Sequence, residues 1–211
     1  MSSVEAPSSP PAPRPKWKDP FVIGFVIGAV ILTALPFLQR RFLKAPPPIR
    51  TLPEWTLPSL GDGGSVTSAE LLGKVLLIEL VSAPCDEHCV ERQQYFSTGT
   101  THTDDLGGRV QLVTVVQPGA ETALSSLRPS ARWHVVSGDA SGLLGGLRDG
   151  WVQWANTDAG QTDDEFFKLP AVILVDQAGA LRGFWHDDST GRGNAINAAR
   201  LLAEHGPRPG G

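Results

Sequence analysis

Sulfur is scarce in this sequence. Its 211 residues include two cysteines and a single methionine, Met1. Two cysteines exclude a scaffold held by several disulfides, and they exclude a four-cysteine zinc site within one chain. With Met1 as the only methionine, the chain offers no further sulfur ligand for a soft metal. Any sulfur chemistry of this protein must therefore come from the two cysteines as a pair.

Charged residues are also few, at 19% of the chain against 41% hydrophobic residues. This balance is too apolar for a disordered chain and too polar for a carrier with many membrane spans. Residues 1–50 hold seven Lys or Arg and two Asp or Glu, whereas residues 51–211 hold eleven and twenty. The acidic character of the larger part argues against nucleic acid as a partner.

The N-terminal residues differ in composition from the rest. Proline makes up six of the first twenty residues, which predicts a disordered tail over residues 1–19. No charge occurs in the 19 residues from Pro20 to Leu38. In a helix this run spans about 28 Å, enough to cross the core of a bilayer. We therefore predict a single transmembrane helix over residues 20–39.

A cleaved signal peptide is the competing interpretation of this run. The apolar core is long, however, and Gln39-Arg40-Arg41 stands where small cleavage-site residues would be needed. Residues 40–50 are rich in basic residues and proline and predict an extended linker, and residues 205–211 predict a flexible tail. Because basic residues flank the apolar run on both sides, their count does not predict its orientation.

One domain of mixed strands and helices is predicted over residues 51–204. Short apolar runs predict strands, the last two joined as a hairpin, at 74–81, 109–116, 133–136, 171–175 and 180–185. Helices are expected at 86–98, about 119–128, 140–148 and 193–204. This alternation is typical of a layered α/β domain.

Three shorter sequence features lie within this domain. Thr67-Ser-Ala-Glu70 fits a capping box that starts a short helix before the first long strand. The acidic residues Asp158 and Asp163–Glu165 predict a solvated loop, because they lack the spacing of a calcium loop. Gly191-Arg-Gly193 predicts a turn.

Both cysteines lie in one segment, Val81-Ser-Ala-Pro-Cys85-Asp-Glu-His88-Cys89, where a buried strand is predicted to end and a helix to begin. Open α/β sheets place their sites at the carboxyl ends of strands. Residues three and four apart are neighbours on a helix, so Cys85, His88 and Cys89 would share one face. Four residues of helical rise separate the two cysteines by about 6 Å, which permits a disulfide or a shared metal ion.

Three interpretations of the pair are open at this point. A helix N-terminus stabilises a thiolate, and soft thiolates select Cu(I), for which two cysteines with or without His88 would suffice. Alternatively, the pair alternates between dithiol and disulfide by exchange with another protein. The third interpretation is two buried structural cysteines.

Five segments, taken in order, resemble a known family. They are Gly73-Lys-Val75 at the first long strand, Pro84 to Cys89 with its three-residue gap, Val116 to Thr122, Trp133 to Asp139, and Leu174 to Gly183 as the closing hairpin. Together, over about Leu52 to Arg200, they resemble the Sco/SenC family of membrane-anchored copper-delivery proteins.

The resemblance implies a thioredoxin-like three-layer domain behind a single N-terminal transmembrane helix. It implies that Cys85 and Cys89 bind Cu(I), or maintain the thiols of a copper site, during cytochrome c oxidase assembly. The expected partner is a copper subunit of cytochrome oxidase or another thiol protein. The expected location is the inner membrane, with the domain on the extracytoplasmic, periplasmic side.

Two positions bear on which chemistry the pair performs. The family's third copper ligand is a histidine eight residues before the aspartate of the closing hairpin, and that position is Lys168, which cannot bind copper when protonated. The nearest substitute as a metal ligand is His88. Pro170 resembles the proline that thioredoxin-fold oxidoreductases hold in cis opposite their cysteines, where it would join Cys85 and Cys89 in a catalytic site.

Lys168 and Pro170 favour an alternative function, a membrane-tethered thiol-disulfide oxidoreductase without physiological copper. Enzymatic activity would then reside in Cys85 and Cys89. A third possibility is a non-redox interaction module that keeps the fold.

Overall fold

The computed structural model describes residues 20–42, 45–61, 63–124, 129–138, 141–157, 162–169 and 171–206. The chain divides into two compact units, residues 1–44 and residues 45–211. Residues 1–19 and 207–211, which belong to the two predicted tails, lie outside the described residues.

Helix α1, Pro20–Phe42, belongs to the first unit and continues past residue 39, where the predicted transmembrane helix ends. Most of its side chains from Phe21 to Leu35 are exposed, with Phe21 and Phe25 at 87% and 78%. Among the side chains that the structure describes, no helix has the length and apolar character needed to cross a membrane. The membrane span stays a prediction.

The second unit alternates strands and helices. Its strands are β1 (Arg50–Thr51), β2 (Thr56–Pro58), β3 (Ser65–Thr67), β4 (Val75–Val81), β5 (Val110–Val116), β6 (Trp133–Ser137), β7 (Ala171–Val175) and β8 (Ala180–His186). Its helices are α2 (Ser68–Leu71), α3 (Glu87–Ser97), a 3₁₀ helix (Thr98–Leu106), α4 (Glu121–Leu124), α5 (Ser141–Ala155), α6 (Asp163–Phe167) and α7 (Ser189–His205). The predicted mixed α/β domain is confirmed.

The main sheet has the strand order β1-β8-β7-β4-β5-β6. β4 lies inside it, parallel to β5 and antiparallel to β7. All seven residues of β4 and of β5 are buried, which explains their nearly continuous apolar sequences, since a central strand is covered on both faces. Val81 pairs with Val116, so the two strands end at the same edge of the sheet.

Helices cover both faces of this sheet and give the unit three layers. Alternate residues of a strand point to opposite faces. On one face, Leu76 and Leu80 join a core with α5, α6 and the β2–β3 hairpin. On the other, Val75 and Val81 join a core with α3, the 3₁₀ helix and α7.

Capping boxes start two short helices, of which the sequence predicted one. Thr67 and Glu70 form the predicted box at α2. The predicted acidic loop was wrong over residues 163–165, which form the first turn of α6. There the hydroxyl of Thr162 accepts a hydrogen bond from the backbone N–H of Glu165 at 3.3 Å, and the Glu165 carboxylate accepts one from the N–H of Thr162. Acidic residues suit this position because they interact favourably with the positive end of the helix.

The turn predicted over residues 191–193 was also wrong, because these residues lie inside α7. The helix starts earlier, where the carboxylate of Asp188 accepts a hydrogen bond from the N–H of Gly191 at 2.7 Å. A Cβ at Gly191 would lie 2.0 Å from the carbonyl oxygen of His186. Glycine here permits close packing of the helix on the preceding segment rather than a turn.

A buried charged cluster joins the sheet to the helices on one face. Glu79 of β4 and Asp187, which follows β8, have side chains only 2% exposed. Arg92 of α3 has its Nε 3.2 Å from Glu79 Oε1 and 3.3 Å from Asp187 Oδ2. Arg192 of α7 pairs with Asp187 and lies 4.0 Å from Glu79. Burial, reinforced by the negative charge of Asp187, raises the pKa of Glu79 well above its ordinary value, against the opposing effect of both arginines.

Replacing Glu79 by glutamine should change how stability depends on pH. The Glu79 carboxyl binds its proton more tightly in the folded than in the unfolded chain. Its contribution is therefore complete below the ordinary pKa of 4.5 and is lost as the pH rises through the higher folded pKa. In urea titrations between about pH 5 and pH 8, the unaltered chain should lose up to about 1.4 kcal/mol per pH unit relative to Glu79→Gln. The matched control is the exposed Glu54→Gln. A stability difference that is constant across this range would contradict the raised pKa.

Candidate functional site

The two cysteines form a disulfide beyond the carboxyl end of β4. The sulfur atoms of Cys85 and Cys89 lie 2.05 Å apart, and their Cα atoms 5.4 Å apart. Cys85 lies in the loop that follows Val81, and Cys89 lies in the first turn of α3. The structure therefore brings together the two residues predicted to act as a pair, at the predicted junction of strand and helix.

The loop that carries Cys85 is tied to the neighbouring strand. The backbone N–H of Gln117, just after β5, donates to the carbonyl oxygen of Val81 at 2.8 Å. The N–H of Ala83 donates to the side-chain oxygen of Gln117 at 2.9 Å, and the peptide bond between Ala83 and Pro84 is cis. Because β4 and β5 end at the same level, one residue after β5 holds the loop in place.

The start of α3 lies between the two cysteines. Asp86 is the N-cap residue, and its carboxylate accepts a hydrogen bond from the backbone N–H of Cys89 at 3.0 Å. Cys85 directly precedes this cap, at the positive end of the helix. The helix dipole therefore favours a thiolate at Cys85, whereas the negative charge of Asp86 opposes one.

Neither cysteine is fully buried. Both are half-buried and pack against the core that the sheet forms with α3 and α7. Both residues therefore remain partly accessible to solvent, which thiol-disulfide exchange requires. This exposure does not fit the interpretation of the pair as two buried structural cysteines.

His88, Lys168 and Pro170 complete the set of predicted site positions. The backbone of His88 lies in the first turn of α3, but its side chain is outside the described residues, and so is the whole of Pro170 with its predicted cis bond. Lys168 ends α6 with an exposed side chain. Across the part of the chain that the structure describes, no three His, Cys, Asp or Glu side chains are grouped to hold a metal ion.

No sequence pattern above predicts the charged cluster of Glu79, Arg92, Asp187 and Arg192. Glu79 lies two residues before the end of β4, and Arg92 lies one turn after Cys89 on α3. Two members of the cluster, Glu79 and Arg92, thus lie on the two elements that hold the disulfide. The sequence feature that could have indicated the cluster is Glu79, a single acidic residue inside an otherwise apolar strand.

Neither a family model nor a curated protein matches this sequence. Similarity is found among solved structures. A SCO1/SenC family lipoprotein from Bacillus anthracis str. Ames has a TM-score of 0.54 and 16% identity, and the match covers 76% of this chain and 99% of that protein. BsSco, a member of the Sco family of cytochrome c oxidase assembly proteins, has a TM-score of 0.54 and 13% identity. The match covers 77% of this chain and 98% of BsSco.

A candidate protein disulfide isomerase from Bacteroides thetaiotaomicron has a TM-score of 0.50 and 16% identity. The match covers 76% of this chain and 92% of that protein. At these identities the comparisons concern the fold. The second unit of this chain has a Sco/SenC-like thioredoxin fold.

Proposed function

We propose that this chain is a membrane-anchored thiol-disulfide protein that acts on the thiols of a copper site during assembly of cytochrome c oxidase. The observation that carries the proposal is the half-buried Cys85–Cys89 disulfide after β4. This disulfide closes a very short loop, so it removes little entropy from the unfolded chain. A bond of this kind is better suited to exchange than to bracing the fold.

Exchange needs one sulfur that attacks and one that resolves. In the reduced protein, the Cys85 thiolate attacks a partner disulfide, forms a mixed disulfide and releases one partner thiolate. The Cys89 thiolate then attacks the Cys85 sulfur and releases the second partner thiolate. The partner gains two electrons, and this chain returns to its disulfide state. We assign the attack to Cys85 because it precedes the helix start, where exposed N–H groups favour a thiolate.

The proposed partner of this chain and its proposed location are supported by different observations. BsSco, which belongs to a family of cytochrome c oxidase assembly proteins, shares this fold and supports a copper-site partner. Disulfides persist in oxidising compartments, which supports a periplasmic domain. The charge-free run from Pro20 to Leu38 supports a single anchor in the inner membrane.

Cu(I) binding by the reduced protein is a second candidate function. Cα atoms 5.4 Å apart allow two thiolates to converge on one ion, and two thiolates suit the low coordination number of Cu(I). His88 is the nearest third ligand in the sequence, since Lys168 stands where the resemblance leads us to expect histidine. If the thiolates bind Cu(I) weakly, the alternative is an oxidoreductase without physiological copper.

Cys89→Ser should trap a mixed disulfide through Cys85. The attacking sulfur is retained and the resolving sulfur is absent, so the intermediate accumulates. After incubation with a disulfide-bonded peptide, mass spectrometry under non-reducing conditions should show the adduct on Cys89→Ser and several-fold less on Cys85→Ser. The double serine variant is the control. An adduct on neither single variant would rule out exchange, and a stronger adduct on Cys85→Ser would reverse the two roles.

Asp86→Asn should lower the pKa of the attacking thiol in the reduced protein. Asparagine keeps the N-cap hydrogen bond but removes the negative charge that opposes the thiolate. Because Asp86 is exposed, the change should stay below about one pH unit. Thiolate absorbance followed against pH measures it. Glu87→Gln, also exposed but not bonded to the Cys89 N–H, is the matched control, and an unchanged or higher thiol pKa in Asp86→Asn would contradict the assignment.

Cu(I) affinity of the reduced chain should depend on both cysteines. Anaerobic titration against a competing chelator should show binding that Cys85→Ser/Cys89→Ser abolishes, because the soft donors are gone. His88→Ala should weaken binding less than the loss of a cysteine does, with the exposed His205→Ala as its control. Equal affinity of the unaltered chain and the double serine variant would eliminate the copper candidate while leaving exchange intact.

A further inference from the structure

Gln117, the first residue after β5, makes hydrogen bonds to two different parts of the fold. Its side-chain oxygen accepts a hydrogen bond from the backbone N–H of Ala83 at 2.9 Å, and its side-chain nitrogen donates one to Asp164 Oδ1 of α6 at 2.6 Å. The backbone N–H of Gln117 donates to the carbonyl oxygen of Val81 at 2.8 Å. One residue thus connects the loop before Cys85 with α6.

The two ends of this connection belong to different layers of the unit. Ala83 packs against the core on the α3 and α7 face of the sheet, as both cysteines do. α6 belongs to the opposite face, where Phe166 and Phe167 are buried in the other core. Because this burial fixes α6 against the sheet, Asp164 offers Gln117 a hydrogen-bond acceptor in a defined place.

The turn that follows β5 fixes Gln117 itself. The carbonyl oxygen of Gln117 accepts a hydrogen bond from the N–H of Ala120 at 3.1 Å. Between these two residues, Gly119 has a φ of +101°, which favours glycine, and a Cβ there would lie 3.8 Å from the Cβ of Ala83. The turn therefore lies beside the cysteine loop, with the Gln117 amide between Ala83 and Asp164.

We propose that Gln117 is a positioning residue for the cysteine pair, which keeps the two thiols close in the dithiol state by holding the Cys85 loop to α6. In the disulfide state, the covalent bond itself holds Cys85 near Cys89. In the dithiol state, noncovalent contacts of the loop set the effective concentration of the two thiols, and that concentration determines how readily the disulfide forms. The inference rests on the exchange function proposed above, because it concerns the same pair.

Gln117→Ala should make the disulfide easier to reduce. Equilibration of the purified full-length chain with glutathione measures this: two protein thiols and one oxidised glutathione give the protein disulfide and two reduced glutathiones. Loss of the connection should lower the equilibrium constant for disulfide formation by about threefold to tenfold, which corresponds to about 15 to 30 mV toward a less negative potential.

Gln111→Ala is the matched control for this measurement. Gln111 also belongs to β5 and donates a hydrogen bond through its amide, to the carbonyl oxygen of Gly108, but it lies near the other end of the strand. A residue that only stabilises the fold affects both redox states alike and leaves the potential unchanged. An unchanged potential in Gln117→Ala, or an equal shift in Gln111→Ala, would contradict the proposal.

Two variants of the exposed Asp164 test the connection to α6 and also decide the matter if circular dichroism shows that Gln117→Ala does not fold. Asp164→Asn and Asp164→Ala remove the same charge, but asparagine keeps an oxygen that can accept from Gln117, whereas alanine does not. The potential of Asp164→Ala should therefore be less negative than that of Asp164→Asn. Equal potentials would overturn the connection to α6.

These outcomes are separate from those of the trapping experiment on Cys89→Ser. If a mixed disulfide is trapped but the potential does not depend on Gln117, this inference alone is overturned. If the potential depends on Gln117 but no mixed disulfide forms, the exchange function is overturned and the positioning role remains.

Discussion

The parallel pairing of β4 with β5 is the constraint on which the rest of the second unit depends. Both strands are buried along all seven residues, so helices must cover both faces of the sheet. Since Val81 pairs with Val116, the chain leaves both strands at one level. Gln117 can then hold the loop before Cys85 through its backbone and its side chain. The sheet thereby positions the disulfide, and the N-cap at Asp86 sets where the second cysteine enters the helix.

The buried charged cluster is the part of this fold with the largest unfavourable desolvation energy. Burying charged or polar groups is unfavourable unless partners compensate them, and neither carboxylate oxygen of Glu79 makes a hydrogen bond within the described residues, although Arg92 Nε lies 3.2 Å from Oε1. The arginines of the cluster come from α3 and α7. The helix that carries Arg92 carries Cys89 as well. The disulfide and the charged cluster therefore share α3 as a supporting element.

Local patterns predicted the parts of the fold that depend on local interactions. β-Branched apolar runs indicated the central strands, and the spacing of Thr67 and Glu70 indicated the cap of α2. The same reasoning missed α6 and the first turn of α7, where composition suggested loop and turn. In both, a capping side chain starts a helix that then buries apolar or small residues against the sheet, such as Phe166 and Ala195. That burial is a tertiary effect, which composition does not report.

The sequence by itself determined that the two cysteines are close enough to pair, because their spacing matches about one helical turn and Met1 is the only other sulfur-bearing residue. It also determined the alternation of strands and helices, since hydrophobic periodicity reflects burial. Only the tertiary structure decided that the two cysteines are bonded yet half-buried, and that Glu79 meets Arg92 and Arg192. Those features depend on residues brought together from distant parts of the chain, and their contacts leave no periodic pattern in the sequence.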